Sequence, residues 1–168
     1  MRILFFHGFE SKLPSKKAEW LKEMGHEVYA LDMGYAQDDS FFKALACALE
    51  FKPDLIVGSS MGGYFATRVG TYIETKLVLL NPALHSRSKD FDCGIDGDSV
   101  SRAWVLLGER DTIIDPERSL DALNRMGAKI TYGSHAHRTP QNVFAQYMTS
   151  IMPELTLDEE SGPNGEVL

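Results

Sequence analysis

The chain has 168 residues, 43% of them hydrophobic, with 17 basic and 24 acidic side chains and a formal net charge of −7. That length fits one domain with a sizeable core, and no apolar run approaches membrane-spanning length. The acidic excess is local: residues 154–168 hold five acidic residues and no basic one, which leaves the rest at 17 basic against 19 acidic. A near-neutral body argues against nucleic-acid binding, which calls for a basic face. Arg2 is followed by only a short apolar stretch at residues 3–6, far short of a signal-peptide core. The chain is therefore expected in the cytoplasm, with no membrane partner. Cys47 and Cys93 form no metal or redox motif, and a reducing compartment disfavours a disulfide between them.

Residues 2–6 (Arg-Ile-Leu-Phe-Phe) read as a first buried strand running into His7-Gly8-Phe9. Pro14-Ser15 opens a helix with Trp20, Leu21 and Met24 on its apolar face, ended by Gly25 as a left-handed cap. Residues 27–31 are a second strand. Ser40 can cap the next helix, where Phe42, Leu45, Ala46 and Leu49 recur at helical spacing until Pro53 stops it. The apolar run 55–57 is a third strand, and a helix follows from about Ser60 to Tyr72.

Residues 76–80 form a fourth strand, closed by Asn81-Pro82. Residues 84–101 are polar and aperiodic; a stretch of that kind inside a compact domain is functional or disordered. Residues 103–107 are a fifth strand. Asp115-Pro116 starts a helix with Leu120 and Leu123 inside and Gly127 as its stop. Residues 129–132 are a sixth strand. Thr139-Pro140 opens the last helix, with Phe144, Tyr147, Met148 and Ile151 on one face and Pro153 at its end. The domain is thus expected to span residues 1–153, and residues 154–168 to form an acidic, mobile tail.

Continuous apolar strands alternating with helices imply a parallel sheet of about six strands covered on both faces. In such sheets ligands bind beyond the carboxyl ends of the strands. His7, Ser60, Asp111 and His135 each follow a predicted strand, so the pattern gathers them on one edge of the molecule.

The centre of that edge is Gly58-Ser59-Ser60-Met61-Gly62. A serine at the apex of a sharp strand-to-helix turn exposes its hydroxyl, and its neighbours at minus two and plus two must be small. Gly58 and Gly62 meet that condition for Ser60, whereas Ser59 has Val57 and Met61 at the same offsets. The bland alternative is a glycine-rich turn closing a strand. A phosphate loop fits poorly, since no Gly-Lys-Ser/Thr follows.

A serine hydroxyl needs a base, and the base an orienting carboxylate. Asp111 and Asp115 compete for the acid. Asp115 precedes Pro116 and has a ready duty as a helix cap, so Asp111 is preferred and Asp115 is the second choice; Glu109 is a distant third. His135 and His137 compete for the base. His135 lies directly after the sixth strand and His137 nearer the last helix, so His135 is preferred and His137 is the second choice. The oxyanion hole needs two donors: the Met61 N–H after the nucleophile, and the Phe9 N–H from the first loop. His7 and Gly8 shape that loop. His26 and His85 have no motif around them and read as surface residues.

Phe6-His7-Gly8-Phe9-x-Ser11, Pro14-Ser15 with Lys17-Ala18, the run from Gly58 to Thr67, and Asn81-Pro82-Ala83 together resemble the YqiA/YcfP-like group of small α/β-hydrolase esterases. The resemblance is strong to about residue 83 and weaker beyond. It implies a three-layer α/β-hydrolase-like sandwich. That group has a Gly-Asp pair, an apolar pair and a second Asp after the fifth strand. Asp111-Thr112-Ile113-Ile114-Asp115 is similar and points to Asp111. Gly133-Ser134-His135-Ala136 resembles the group's Gly-x-His-Ala and points to His135. The segment between Ala83 and Ala103 is short for the cap of such a hydrolase, which implies a minimal cap over an open, shallow site.

These readings converge on a serine hydrolase for a small-molecule carboxylic ester or thioester, with no metal or organic cofactor. The same triad could act on an amide or another acyl donor. A binding protein that kept the fold without turnover is the alternative from another class.

Overall fold

The computed structural model describes residues 1–86 and 102–157. The strands are β1 (Arg2–Phe6), β2 (Glu27–Leu31), β3 (Leu55–Ser59), β4 (Lys76–Leu80), β5 (Ala103–Gly108) and β6 (Lys129–Gly133). The helices are α1 (Lys16–Glu23), α2 (Ser40–Phe51), α3 (Met61–Val69), α4 (Pro116–Arg125) and α5 (Gln141–Thr156). All strand pairs are parallel, in the order β2-β1-β3-β4-β5-β6.

The strands face apolar layers on both sides because successive side chains point to opposite faces. Leu4, Phe6, Ile56, Leu77, Leu79, Val105 and Leu107 pack with α2, α3 and α4 on one face. Ile3, Phe5, Leu55, Val57, Val78, Leu80, Trp104 and Leu106 pack with α1 and α5 on the other. Both faces are buried, which is why these strands read as unbroken apolar runs. Gly25 and Gly127 take the left-handed backbone that ends α1 and α4, with φ of +87° and +64°.

Three expectations are corrected. On α2 the buried face is Phe41, Ala44 and Ala48, while Phe42 and Leu49 are exposed. Two apolar stripes lie one residue apart on this helix. The stripe carrying Phe41 turns inward, where its ring meets Phe65 of α3. On α1, Ala18 and Leu21 are buried, and Met24 lies exposed at the C-cap.

The third correction concerns the C-terminus. Pro153 lies inside α5 rather than ending it, and the body runs on past residue 153. The last turn is held from three sides. The Glu154 carboxylate accepts from Trp104 Nε1 at 3.0 Å and from Lys129 Nζ. Leu155 is buried in the cluster that holds Trp104 and Ile151. Lys76 Nζ donates to Leu155 O at 2.8 Å, so a cation satisfies a carbonyl at the helix end. These contacts outweigh the amide hydrogen that Pro153 lacks. Lys129 first, then Trp104, holds the Glu154 pKa below its ordinary value. The anchor is therefore fully present above the ordinary carboxylate range and weakens on acidification below it.

The short cap expected between Ala83 and Ala103 falls largely on residues 87–101, outside the described residues, as do Cys93 and residues 158–168. Cys47 is half-buried on α2. Among the described residues no helix is long and apolar enough to cross a membrane.

Leu155→Ala should cost about 2–5 kcal/mol, as for other buried leucines. For a chain of this size that is a fall in Tm of roughly 5–15 °C. An unchanged Tm in a calorimetric scan would mean that the last turn of α5 is not part of the core.

Candidate active site

Ser60 stands between β3 and α3 with φ 53° and ψ −116°, a backbone conformation that side-chain-bearing residues rarely adopt. Such a conformation costs on the order of 1–3 kcal/mol and persists only where its surroundings enforce it. The enforcement is visible. Ser60 N donates to Leu80 O at 2.9 Å, and Ser60 O accepts from Ala83 N at 3.0 Å and Gly63 N at 3.0 Å. The end of β4 therefore grips the turn from both sides.

The glycine requirement is equally direct. A Cβ on Gly58 would lie 2.8 Å from Gly63 Cα and closer still to the Gly62 carbonyl oxygen. A Cβ on Gly62 would lie 2.6 Å from His7 O and closer still to Phe6 O. The turn packs backbone against backbone, with no room for a methyl group.

The Ser60 Oγ lies 2.9 Å from His137 Nε2, and His137 Nδ1 lies 2.8 Å from Asp111 Oδ2. The carboxylate can only accept, so the proton of the neutral ring sits on Nδ1 and the Nε2 lone pair faces the serine. The Asp111 side chain is almost wholly buried, and its other oxygen accepts the N–H groups of Ile113 and Ile114, each at 2.9 Å. It is held in a fixed orientation.

The structure does not bring His135 to this point. Its ring is buried, with Nδ1 against Ala136 O at 2.7 Å, and Nε2 makes no hydrogen bond among the described residues. His135 N donates to Gly133 O at 2.8 Å and His135 O accepts from Arg110 N at 3.1 Å, so the residue is tied down beside β5 and β6. The reason is distance. β6 is the edge strand and two strands separate it from β3, so the loop must travel back about 14 Å at ordinary strand spacing. Two further residues add up to about 7 Å of reach, and His137 is the residue that arrives. The expected base at His135 is corrected to a packing position, and the second-choice histidine occupies the site.

Asp115 caps α4, with Oδ1 accepting from Glu117 N at 3.0 Å. The exposed Glu109 carboxylate accepts from Ser134 Oγ at 3.1 Å. His7 is buried beneath the first loop, with Nδ1 2.7 Å from Gly8 O and Nε2 3.3 Å from Met33 N. The Tyr35 hydroxyl donates to His7 O, and burial pushes its pKa far up, so it remains a donor. Together these place Gly8 against Ser60, where a Cβ would be 3.5 Å from Ser60 Cβ. Phe9 and Met61 line the same cleft, of about 620 Å³, that holds Ser60 and His137. His85, expected at the surface, is half-buried with Nδ1 3.1 Å from Ser119 Oγ.

Asn81 is a site residue that sequence reasoning missed. It is buried with φ 43°, its Nδ2 donates to His137 O at 2.7 Å and its Oδ1 accepts from Gly108 N at 2.6 Å. It clamps the end of β5 to the histidine loop. Gly108 must be glycine there, since a Cβ would lie 2.7 Å from Ala136 O. The Asn-Pro pair at the end of β4 was the available signal, and it reads equally well as a simple strand stop.

Residues 2–100 match the model of Uncharacterised protein family UPF0227, a stretch that includes Ser60 and ends before Asp111 and His137. A UPF0227 protein of Shewanella sp. (strain ANA-3) is 26% identical over 165 residues, covering 83% of this chain and 92% of the relative. Est1E from Butyrivibrio proteoclasticus superposes with a TM-score of 0.75 at 16% identity, covering 92% of this chain and 87% of that one. MGS-MChE2, an α/β-hydrolase enzyme from the metagenome of sediments from the lagoon of Mar Chica, Morocco, gives a TM-score of 0.69 at 15% identity over 91% and 89%. At these identities the structural likeness speaks for the fold alone, and that fold is the α/β-hydrolase fold. With the family model covering more than half of its length, the chain belongs to the UPF0227 family.

Proposed function

We propose that this protein is a serine hydrolase that cleaves a small carboxylic ester or thioester through an acyl-enzyme. The observation that carries the reading is the unbroken chain of contacts from Ser60 Oγ through His137 to Asp111. Ser60 Oγ attacks the acyl carbon as His137 Nε2 takes its proton. The Asp111 carboxylate holds the ring in the required tautomer and stabilises the imidazolium. The tetrahedral oxyanion is taken by the N–H groups of Met61 and Phe9. In support, neither amide makes a hydrogen bond among the described residues, and both belong to residues lining the cleft. Collapse of the intermediate expels the alcohol or thiol, which receives its proton from His137. Water then attacks the acyl-enzyme, gives its proton to Nε2, and releases the acid while Ser60 regains its hydrogen.

His137 and His135 test this directly. With 4-nitrophenyl acetate as substrate, His137→Ala should lower kcat by about 10⁴-fold or more. It should also remove the one-proton fall in kcat/KM on acidification, because no base is left to protonate. His135→Ala should keep that limb and lower Tm instead. Loss of activity in a folded His135→Ala protein, with His137→Ala still active, would sink the assignment.

Asn81 acts as a positioning residue. Asn81→Ala should lower kcat by about 10²-fold, the scale of an ångström's misplacement, with a much smaller change in KM. A change confined to Tm would reduce Asn81 to a structural clamp.

A further inference from the structure

The cleft over Ser60 is electrically lopsided. The whole chain carries a formal charge of −7, yet among the described residues the basic side chains lining this cleft are Lys12, Lys16, Lys17 and Arg138, against one carboxylate, Glu10. Arg138 and Glu10 satisfy each other at 3.2 Å. Among the described residues, no carboxylate pairs with Lys12, Lys16 or Lys17. Elsewhere Lys22, Lys43 and Lys129 each have an acidic partner.

Lys17 is the most constrained of the three. It is half-buried, its Nζ lies 5.9 Å from the Phe144 ring centre, and burial pulls its pKa down. Also in the cleft lining, the buried Thr139 hydroxyl makes no hydrogen bond among the described residues. Unpaired like charges repel and a partly desolvated ammonium is unfavourable. Both costs fall when an anion enters.

Strand order sets this basic segment apart from Ala83, Ile113 and Ile114 in the lining. The lysines follow β1, which flanks β3 on one side; Ala83, Ile113 and Ile114 follow β4 and β5 on the other. We propose that the ester taken by this site carries an anionic group, a carboxylate or a phosphate, that lies against Lys12, Lys16 and Lys17. Its apolar part extends toward Ile113 and Ile114. The word ester rests on the hydrolase reading above; recognition of the anion does not need turnover.

Two matched ester pairs test this. Mono-(4-nitrophenyl) glutarate against 4-nitrophenyl valerate places a carboxylate in the acyl half. 2-Acetoxyethyl phosphate against 2-methoxyethyl acetate places a phosphate in the alcohol half. At low ionic strength the anionic member of at least one pair should be favoured in kcat/KM by about tenfold or more. The favoured pair identifies which half carries the charge. The preference should shrink toward unity in about 0.5 M salt and in the Lys12→Gln/Lys16→Gln/Lys17→Gln variant. Lys43→Gln, on α2, should leave it unchanged. If the triple variant does not fold, Lys12→Glu gives the same readout from one exposed position.

Equal or better turnover of the neutral member in both pairs overturns the proposal, as does a preference that survives the lysine substitutions. Calorimetric titration of Ser60→Ala with monomethyl glutarate and with 2-methoxyethyl phosphate separates the two readings. Lysine-dependent, salt-sensitive binding without turnover by the wild type would keep the anion site and remove the hydrolase. Turnover without such binding or preference would do the reverse.

Discussion

The backbone of Ser60, held at φ 53° and ψ −116°, is the constraint on which the rest of the site depends. Keeping it strained requires bare glycine at 58 and 62, because a Cβ on Gly58 would meet the backbone of Gly62 and Gly63, and one on Gly62 the carbonyls of Phe6 and His7. It also requires β4 beside β3, since Leu80 and Ala83 supply the backbone bonds that grip the serine. The order of strands is thus part of the serine's geometry.

The same order sets the reach of the other groups. Asp111 follows β5 and His137 follows β6, two and three strand spacings from Ser60, or about 10 and 14 Å at ordinary spacing. Each loop must return across the top of the sheet. Asp111 is braced by its own turn, through Ile113 and Ile114 N–H. The histidine loop, which has farther to travel, is braced by Asn81 at the end of β4. Orientation is thus fixed before any substrate arrives, which is what electrostatic stabilisation of a transition state requires.

Much of this was legible in the chain. The four inner strands announced themselves as apolar runs because both faces of the sheet are covered there. Gly58 and Gly62 selected Ser60 over Ser59, and Pro116 marked Asp115 as a cap. The choice between His135 and His137 was not legible, because it depends on how far the loop after β6 must travel. That distance is a property of strand order and not of local pattern. The inner face of α2 was hidden for a related reason: the stripes through Phe41 and Phe42 are both apolar, and contact with Phe65 decides between them. The extension of α5 past Pro153 follows from Trp104, Lys129 and Lys76, all distant in sequence from the residues they anchor. Local propensity yields to such contacts.

The central claim is that one serine, raised on a strained turn and activated by His137, is the nucleophile. Reaction with a fluorophosphonate followed by peptide mass mapping tests it most directly, since the reagent demands an activated hydroxyl and the map names the residue. The account predicts a single adduct on Ser60, formed quickly in the wild type and very slowly in His137→Ala. An adduct on Ser59, or a folded wild-type protein that takes up no label, would contradict it.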